Sequence, residues 1–417
     1  MNKYIITFII STVLLSCGPS KISRQNIARI YQLEKLTDKP VYTIYHFSID
    51  SSRLYIRLNS ENFLYVKEDD NAIPQARIRF GIKLFNSYET AHVVDSLNYT
   101  VVHDKPEQNV YFYNGIDFKL YPGNYLMELT VTDVNRKNST SHYINIDNNN
   151  FQSRQTFIAV YEDDTPVLIP YLDSADAVKI MHRNPDTDIL TVRYYNRNFP
   201  IALPPFSMEV PLTFNYVADS IFKYSIKSDN LLQLDGNGFY HFQIDTTDKT
   251  GFTLFRFHND YPQLTEASQL IEPLRYLTTR REYEDLRIAK DKKKAVDDFW
   301  LKLSGNPDRG RQLIKKYYSR VEEANRLFTS YLEGWKSDRG LIYIIFGQPN
   351  FVYRTEAGES WVYGEPRNAL SVTFNFSKVK NPFSDNDYSL NRSLSFENVW
   401  FTAVETWRQG RVFNDNQ

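Results

Sequence analysis

Cysteine is nearly absent: Cys17 is the single one in 417 residues. No disulfide can form within the chain, and no cysteine-based metal site can be built in its body. Histidine is scarce as well. His46, His92, His103, His142, His182, His241 and His258 complete the set, and none is spaced at i, i+4 or sits in a His-Glu-x-x-His arrangement. The stretch after His258 therefore lacks the residues for a Ser-His-Asp triad, a thiol nucleophile or a Cys/His zinc site. A carboxylate pair, Asp338 with Glu359, is the one acid–base arrangement left to test there. Charge of one sign is also missing. The formal net charge of −1 removes any global pull toward nucleic acid. No P-loop or dinucleotide fingerprint occurs, so neither an enzyme nor a bound cofactor is expected.

What is present favours strands. Tyr (30) and Phe (28) are abundant, and the hydrophobic fraction of 42% is enough for real cores. The length calls for two or three domains. Lys3 followed by the apolar run from Tyr4 to Leu15 reads as a signal segment, because a bilayer span needs about 20 such residues. It ends in Leu14-Leu15-Ser16-Cys17, which resembles a bacterial lipobox. The resemblance implies a signal peptide over 1–16 and acylation of Cys17 with palmitate-like chains. Residue 18 is Gly rather than Asp, and no acidic run follows. The sorting rules of such lipoproteins then imply the outer membrane, with the protein facing the periplasm. Residues 17–38 read as a polar tether with a short helix near its middle.

From 39 to 147 the pattern is β. Arg77 to Leu84 alternates apolar with mostly charged residues, and Tyr125, Met127, Leu129 and Val131 share a face after a Pro-Gly turn. Several short strands at this spacing indicate an antiparallel sandwich of immunoglobulin-like type. Asp147 to Asn150 is a polar break. A second sandwich is expected over 151–262, ending as the first does with a glycine turn, an aromatic strand and a last strand. Asp235-Gly236-Asn237-Gly238 lacks the distal acid of a calcium loop and reads as a turn. From 263 to 417 an α+β domain is expected. One helix carries Ala295, Val296, Phe299, Trp300 and Leu303, and a second carries Ile314, Tyr317, Val321, Ala324 and Phe328. Lys315, Lys316, Arg320, Glu322 and Glu323 lie off that stripe, as a solvated face. Gly334 is expected to end this helix in a left-handed conformation. Leu341 to Phe346 reads as a buried strand, followed by strands over 351–354, 360–363 and 371–376.

Gly334-Trp335-Lys336-Ser337-Asp338 resembles the motif of the GWxTD family of exported Bacteroidota proteins, with Ser337 in place of Thr. Phe299-Trp300 before an Asn-Pro break, Ala324-Asn325, Phe328 and Arg339-Gly340 strengthen the resemblance, which covers about 265–380. The order Gly347-x-Pro349, Trp361-x-Tyr363, Phe374-x-Phe376 is also similar to the small SmpA/OmlA lipoproteins of outer-membrane barrel assembly. The motif itself reads first as structural, and second as a binding surface of Gly334, Trp335, Ser337, Asp338 and Arg339. Trp400 and Trp407, near the tail, read first as packing of that tail and second as candidates for a partner groove. The resulting expectation is a non-enzymatic, lipid-anchored adaptor. Its C-terminal domain would bind proteins of an envelope assembly, secretion or motility complex. The alternative is a glycan- or peptidoglycan-binding lipoprotein using the Tyr194-Tyr195-Asn196 edge.

Overall fold

A computed structural model describes residues 21–31, 39–209, 214–228 and 231–413. Cys17 and the signal segment lie outside the described residues. The chain is multidomain, built from several antiparallel sheets and a C-terminal helical region.

The first β region holds β1 (Val41–His46), β2 (Ser51–Asn59), β3 (Gln75–Phe85), β4 (Val93–Asp104), β5 (Tyr111–Lys119), β6 (Asn124–Asp133) and β7 (Asn138–Asp147). They form one sheet ordered β1-β2-β5 and a second ordered β4-β3-β6-β7. The alternation read in β3 places Ala76, Ile78, Phe80, Ile82 and Leu84 inward. They meet Leu54, Ile56 and Leu58 of β2 across one core. Strand periodicity thus sets the layers directly: every second side chain leaves water.

The second β region holds β8 (Phe157–Tyr161), β9 (Ala177–His182), β10 (Ile189–Tyr195), β11 (Ser220–Ser225), β12 (Leu232–Gln233), β13 (Gly238–Gln243) and β14 (Phe252–Arg256). Its sheets are ordered β12-β9-β8 and β11-β10-β13-β14. Numbered within each region, this is the strand order of the first, three strands against four. The duplication read from the two similar endings extends to the whole unit. The polar break between the regions is not a free linker. Asn148 is buried and donates to the carbonyls of Ile49 and Leu120, while Arg183 Nη1 donates to its Oδ1 (2.8 Å).

The C-terminal region begins with helices α1 (Ala267–Ile271), α2 (Arg280–Ile288), α3 (Lys292–Ser304) and α4 (Pro307–Phe328). Asn306 caps α4 by accepting from Arg309 N, with Pro307 at its first turn. Next comes α5 (Asp338–Phe346), where a strand was expected. Every residue from Arg339 to Phe346 is buried. A run that is apolar on all sides has no periodicity to separate strand from helix, and the Ser337 cap settles the matter. β15 (Phe351–Arg354), β16 (Gly358–Tyr363), β17 (Val372–Lys378) and β18 (Tyr388–Leu390) then form an antiparallel sheet in sequence order, and α6 (Glu397–Arg408) closes the domain.

Arg320 does not join a solvated face. It is 2% exposed, donates to the carbonyls of Ile344, Ile345 and Phe413, and lies over the Trp407 ring. The end of α5 supplies carbonyls that a long cation satisfies better than water could.

The described part of the expected tether is docked. Ile27, Ala28 and Tyr31 belong to the core of the C-terminal domain, and Ile22 packs on Phe85, Tyr88 and Leu126 of the first sandwich. Asn26 Oδ1 accepts from Val352 N (3.0 Å), and Ile27 N donates to the Val352 carbonyl (2.9 Å). These contacts join residues more than three hundred positions apart, which a local reading of a polar segment could not anticipate.

Candidate functional site

The Gly334–Asp338 turn sits where α4, α5, the second sandwich and the sheet meet. Gly334 does not end a helix in a left-handed conformation, as expected; it opens a 3-10 turn, Gly334–Lys336, that follows α4. Its reason to be glycine is close approach. A Cβ there would stand 2.0 Å from the Ala324 carbonyl oxygen, and one on Gly340 would stand 2.0 Å from the Gly334 oxygen. Trp335 is 4% exposed, with its N–H bonded to Asn325 Oδ1 (3.1 Å) and its carbonyl accepting from Tyr276 hydroxyl (2.9 Å). Ser337 donates to the Gly334 carbonyl (2.7 Å) and accepts from Gly340 N (3.0 Å), capping α5. That work needs a hydroxyl, so the departure from Thr keeps the function. Asp338 accepts from Leu390 N (2.7 Å) and pairs with Arg392.

Two further segments cover the turn. Between β10 and β11 the chain crosses onto the C-terminal domain, where Ala202 N donates to the Lys336 carbonyl (2.9 Å) and Leu203 O accepts from Arg392 (3.3 Å). Phe383, from the loop between β17 and β18, enters the second sandwich. Its ring lies 4.7 Å from Phe239, 5.3 Å from Tyr195 and 5.0 Å from His241.

Beside this joint lies a buried ionic cluster. Glu359 accepts from Arg354 Nε (2.8 Å), Trp361 Nε1 (2.8 Å) and Tyr31 hydroxyl (2.8 Å), and Arg339 Nη1 stands 3.4 Å away. Burial opposes ionisation of Glu359, but Arg354 and Arg339 with those hydrogen bonds outweigh it and hold its carboxyl below the ordinary value. Arg339 also stacks on the Tyr388 ring at 3.9 Å. Asp338 and Glu359 do not form an acid–base pair: each is neutralised by its own arginines. None of the described residues builds a group of three His, Cys, Asp or Glu able to hold a metal.

The candidate partner residues divide by burial. Arg339 and Trp335 have almost no exposed surface, so their binding role gives way to the structural one. Trp400 and Trp407 are buried at 5% and 0%, and Trp407 Nε1 donates to the Ile345 carbonyl (3.0 Å). They pack α6 onto α5 rather than open a partner groove. The Tyr194-Tyr195-Asn196 edge also changes character. Tyr195 is buried, Tyr194 donates to the Asn237 carbonyl (2.7 Å), and only Asn196 reaches a cavity. That cavity, about 260 Å³, lies between the second sandwich and the turn, with Asn237, Phe257, His258, Trp335 and Lys336 in its wall. Sequence reasoning missed it, because its walls come from segments that meet only in the folded chain.

A buried turn locked by glycine contacts, a helix cap and two inter-domain clasps defines a structural joint. Residues 238–409 match the model of the GWxTD domain. The match begins at β13, inside the second sandwich, where Phe239 and His241 meet Phe383. No curated protein matches the chain. Solved structures with local likeness include a Bacteroides uniformis beta-glucuronidase and a calcium-binding mutant of beta-glucuronidase 2 from the same organism. Each shares 16% identity over 25% of this chain and 12% of that one, with a TM-score of 0.16. Beta-glucuronidase 2 bound to a cyclophellitol-derived aziridine shares 14% over 31% and 17%, at 0.17. The chain thus spans less than a fifth of those structures' length, and such scores carry no argument about fold or activity.

Proposed function

We propose that this chain is a non-enzymatic adaptor, lipid-anchored through Cys17 at the outer membrane and facing the periplasm. Its GWxTD domain holds proteins of an envelope assembly, secretion or motility complex. Both β regions are then immunoglobulin-like spacers, a class supported by their shared strand order. The observation that carries the reading is the docking of residues 21–31, with Ile22 on the first β region and Ile27, Ala28 and Tyr31 in the core of the C-terminal domain. Cys17 precedes Lys21 by four residues, a reach of at most about 14 Å. An acyl chain on Cys17 would hold the junction of the first β region and the GWxTD domain next to the bilayer.

The test combines fractionation with mild-detergent purification. Cys17→Ala is expected to move the protein from the membrane to the soluble fraction. The parent is expected to retain the same envelope proteins through purification. A membrane-bound Cys17→Ala variant, or purification without other proteins under several detergents, overturns the reading. The cavity beside Trp335 favours a second reading, a glycan-binding lipoprotein, because amide side chains and an aromatic wall suit a sugar ring. Retention on isolated cell wall that is lost in Asn237→Ala supports it, and no retention rejects it.

A further inference from the structure

β4 is the terminal strand of its sheet, paired along one side with β3, and no described strand pairs with its other side. Its ladder is regular from Asp95 to Asp104, beyond an irregularity opposite Leu84 and Phe85. Natural edge strands are blunted by lysine, proline or short length. Val93–Asp104 contains no Lys, Arg or Pro and is the longest strand of the described residues. Tyr99 and Val102 are exposed, while Leu97 and Val101 are only partly covered by the core they border. The matching strand of the second sandwich, β11, is half as long and carries Lys223. The bare edge is thus a feature of β4 and not of the architecture.

We propose that β4 pairs antiparallel with β4 of a second copy, joining two four-stranded sheets across a two-fold axis at Tyr99. The occupant follows from the strand's own sequence. With Tyr99 opposite itself, Leu97 faces Val101 and Asp95 faces His103 of the second copy, and symmetry repeats both pairs. Directly opposed residues of an antiparallel ladder share a face, so one face gathers an aromatic pair and two apolar pairs, flanked by His103, whose ring stacks on Phe112 of its own chain at 4.1 Å. On the other face Asn98 meets Thr100 and Ser96 meets Val102. Placing the axis at Asn98 instead sets Leu97 against Tyr99 and draws the irregular end of the strand into the ladder. The contact is self-complementary and closed, as a two-fold interface requires. It stands independently of the adaptor reading.

Sedimentation equilibrium and cysteine cross-linking of the full mature chain carrying Cys17→Ser test the pairing. The expected mass is twice that of the chain. In that background Tyr99→Cys is expected to form an intermolecular disulfide. Opposed Cα atoms in such a ladder are about 4.5–5.5 Å apart, within disulfide range. Asn98→Cys, facing Thr100, is expected to cross-link much more slowly. Tyr99→Lys places two like charges on the axis and is expected to give the single-chain mass while keeping the circular-dichroism spectrum of the folded chain. A single-chain mass for the parent overturns the proposal, as does faster cross-linking of Asn98→Cys than of Tyr99→Cys.

Discussion

The two sandwiches repeat one strand order, three strands against four, but live in different surroundings. The second shares an aromatic seam with the C-terminal domain, where Phe383 sits among Tyr195, Phe239 and Phe255. Its crossing between β10 and β11 lies over the GWxTD turn. The first is held by smaller contacts: Ile22 on Phe85 and Tyr88, Tyr45 against Ile158 and Val160, and the Asn148 bonds. The same scaffold therefore serves as part of the family domain in one case and as a largely separate body with a bare edge in the other. Loop length and side-chain choice made the difference, since the order of strands did not.

Breaking the seam has the largest expected effect. Phe383→Ala removes a 3% exposed ring and is expected to cost about 3–5 kcal/mol. Hydrogen exchange on the variant should show β13, β14 and α5 losing protection together while β3 and β6 keep theirs. Equal loss in all of them would show that the first sandwich is not separate.

Glu359→Gln comes next. It leaves Arg339 and Arg354 buried without their counter-charge, a cost of about 3 kcal/mol. Tyr31→Phe removes one hydroxyl from the same cluster and is expected to cost about 1 kcal/mol. Urea unfolding measures both, and comparable losses would show that the charges do not dominate the cluster.

Acid should reach the first sandwich ahead of the GWxTD turn. Burial lowers His46 and His142 from an ordinary 6.5 to about 4, and His241 to about 3. Their neutral forms favour the fold. That stability is present above pH 6.5 and is lost as pH falls toward those lower values. Exchange of β1 and β7 should therefore rise between about pH 6 and 4 while α5, which has no histidine, holds. Loss of α5 at the higher pH would contradict this.

The smallest effect concerns the edges. Lys223→Val in β11 is expected to change stability by no more than about 0.5 kcal/mol. It should nonetheless raise light scattering at high concentration by baring a second edge.

Much of the architecture was legible in the residues. β3 and β13 followed from alternation, α3 and α4 from apolar residues recurring at three and four, and the break between them from Asn306-Pro307. The Ser337 cap role was within reach of local chemistry. Other features were not. Leu341 to Phe346 is apolar at every position, so its helix could not be told from a strand. Packing of Trp400 and Trp407 was the first of two readings open in the sequence, and α5 supplies the surface that covers them. Arg320 reads as part of a solvated face, and only partners from distant segments make its burial, and that of Glu359, tolerable.

By itself, then, the order of amino acids determined the periodic elements, the Asn306-Pro307 break and the absence of thiol and imidazole chemistry beyond His258. Each of these is set by neighbours within a few positions. Tertiary structure alone decided that residues 21–31 dock on both the first β region and the C-terminal domain, that the GWxTD turn is a covered joint, and that no described strand of the chain covers the outer edge of β4. Those outcomes depend on contacts between segments far apart in the chain, where the energy lies in which surfaces meet.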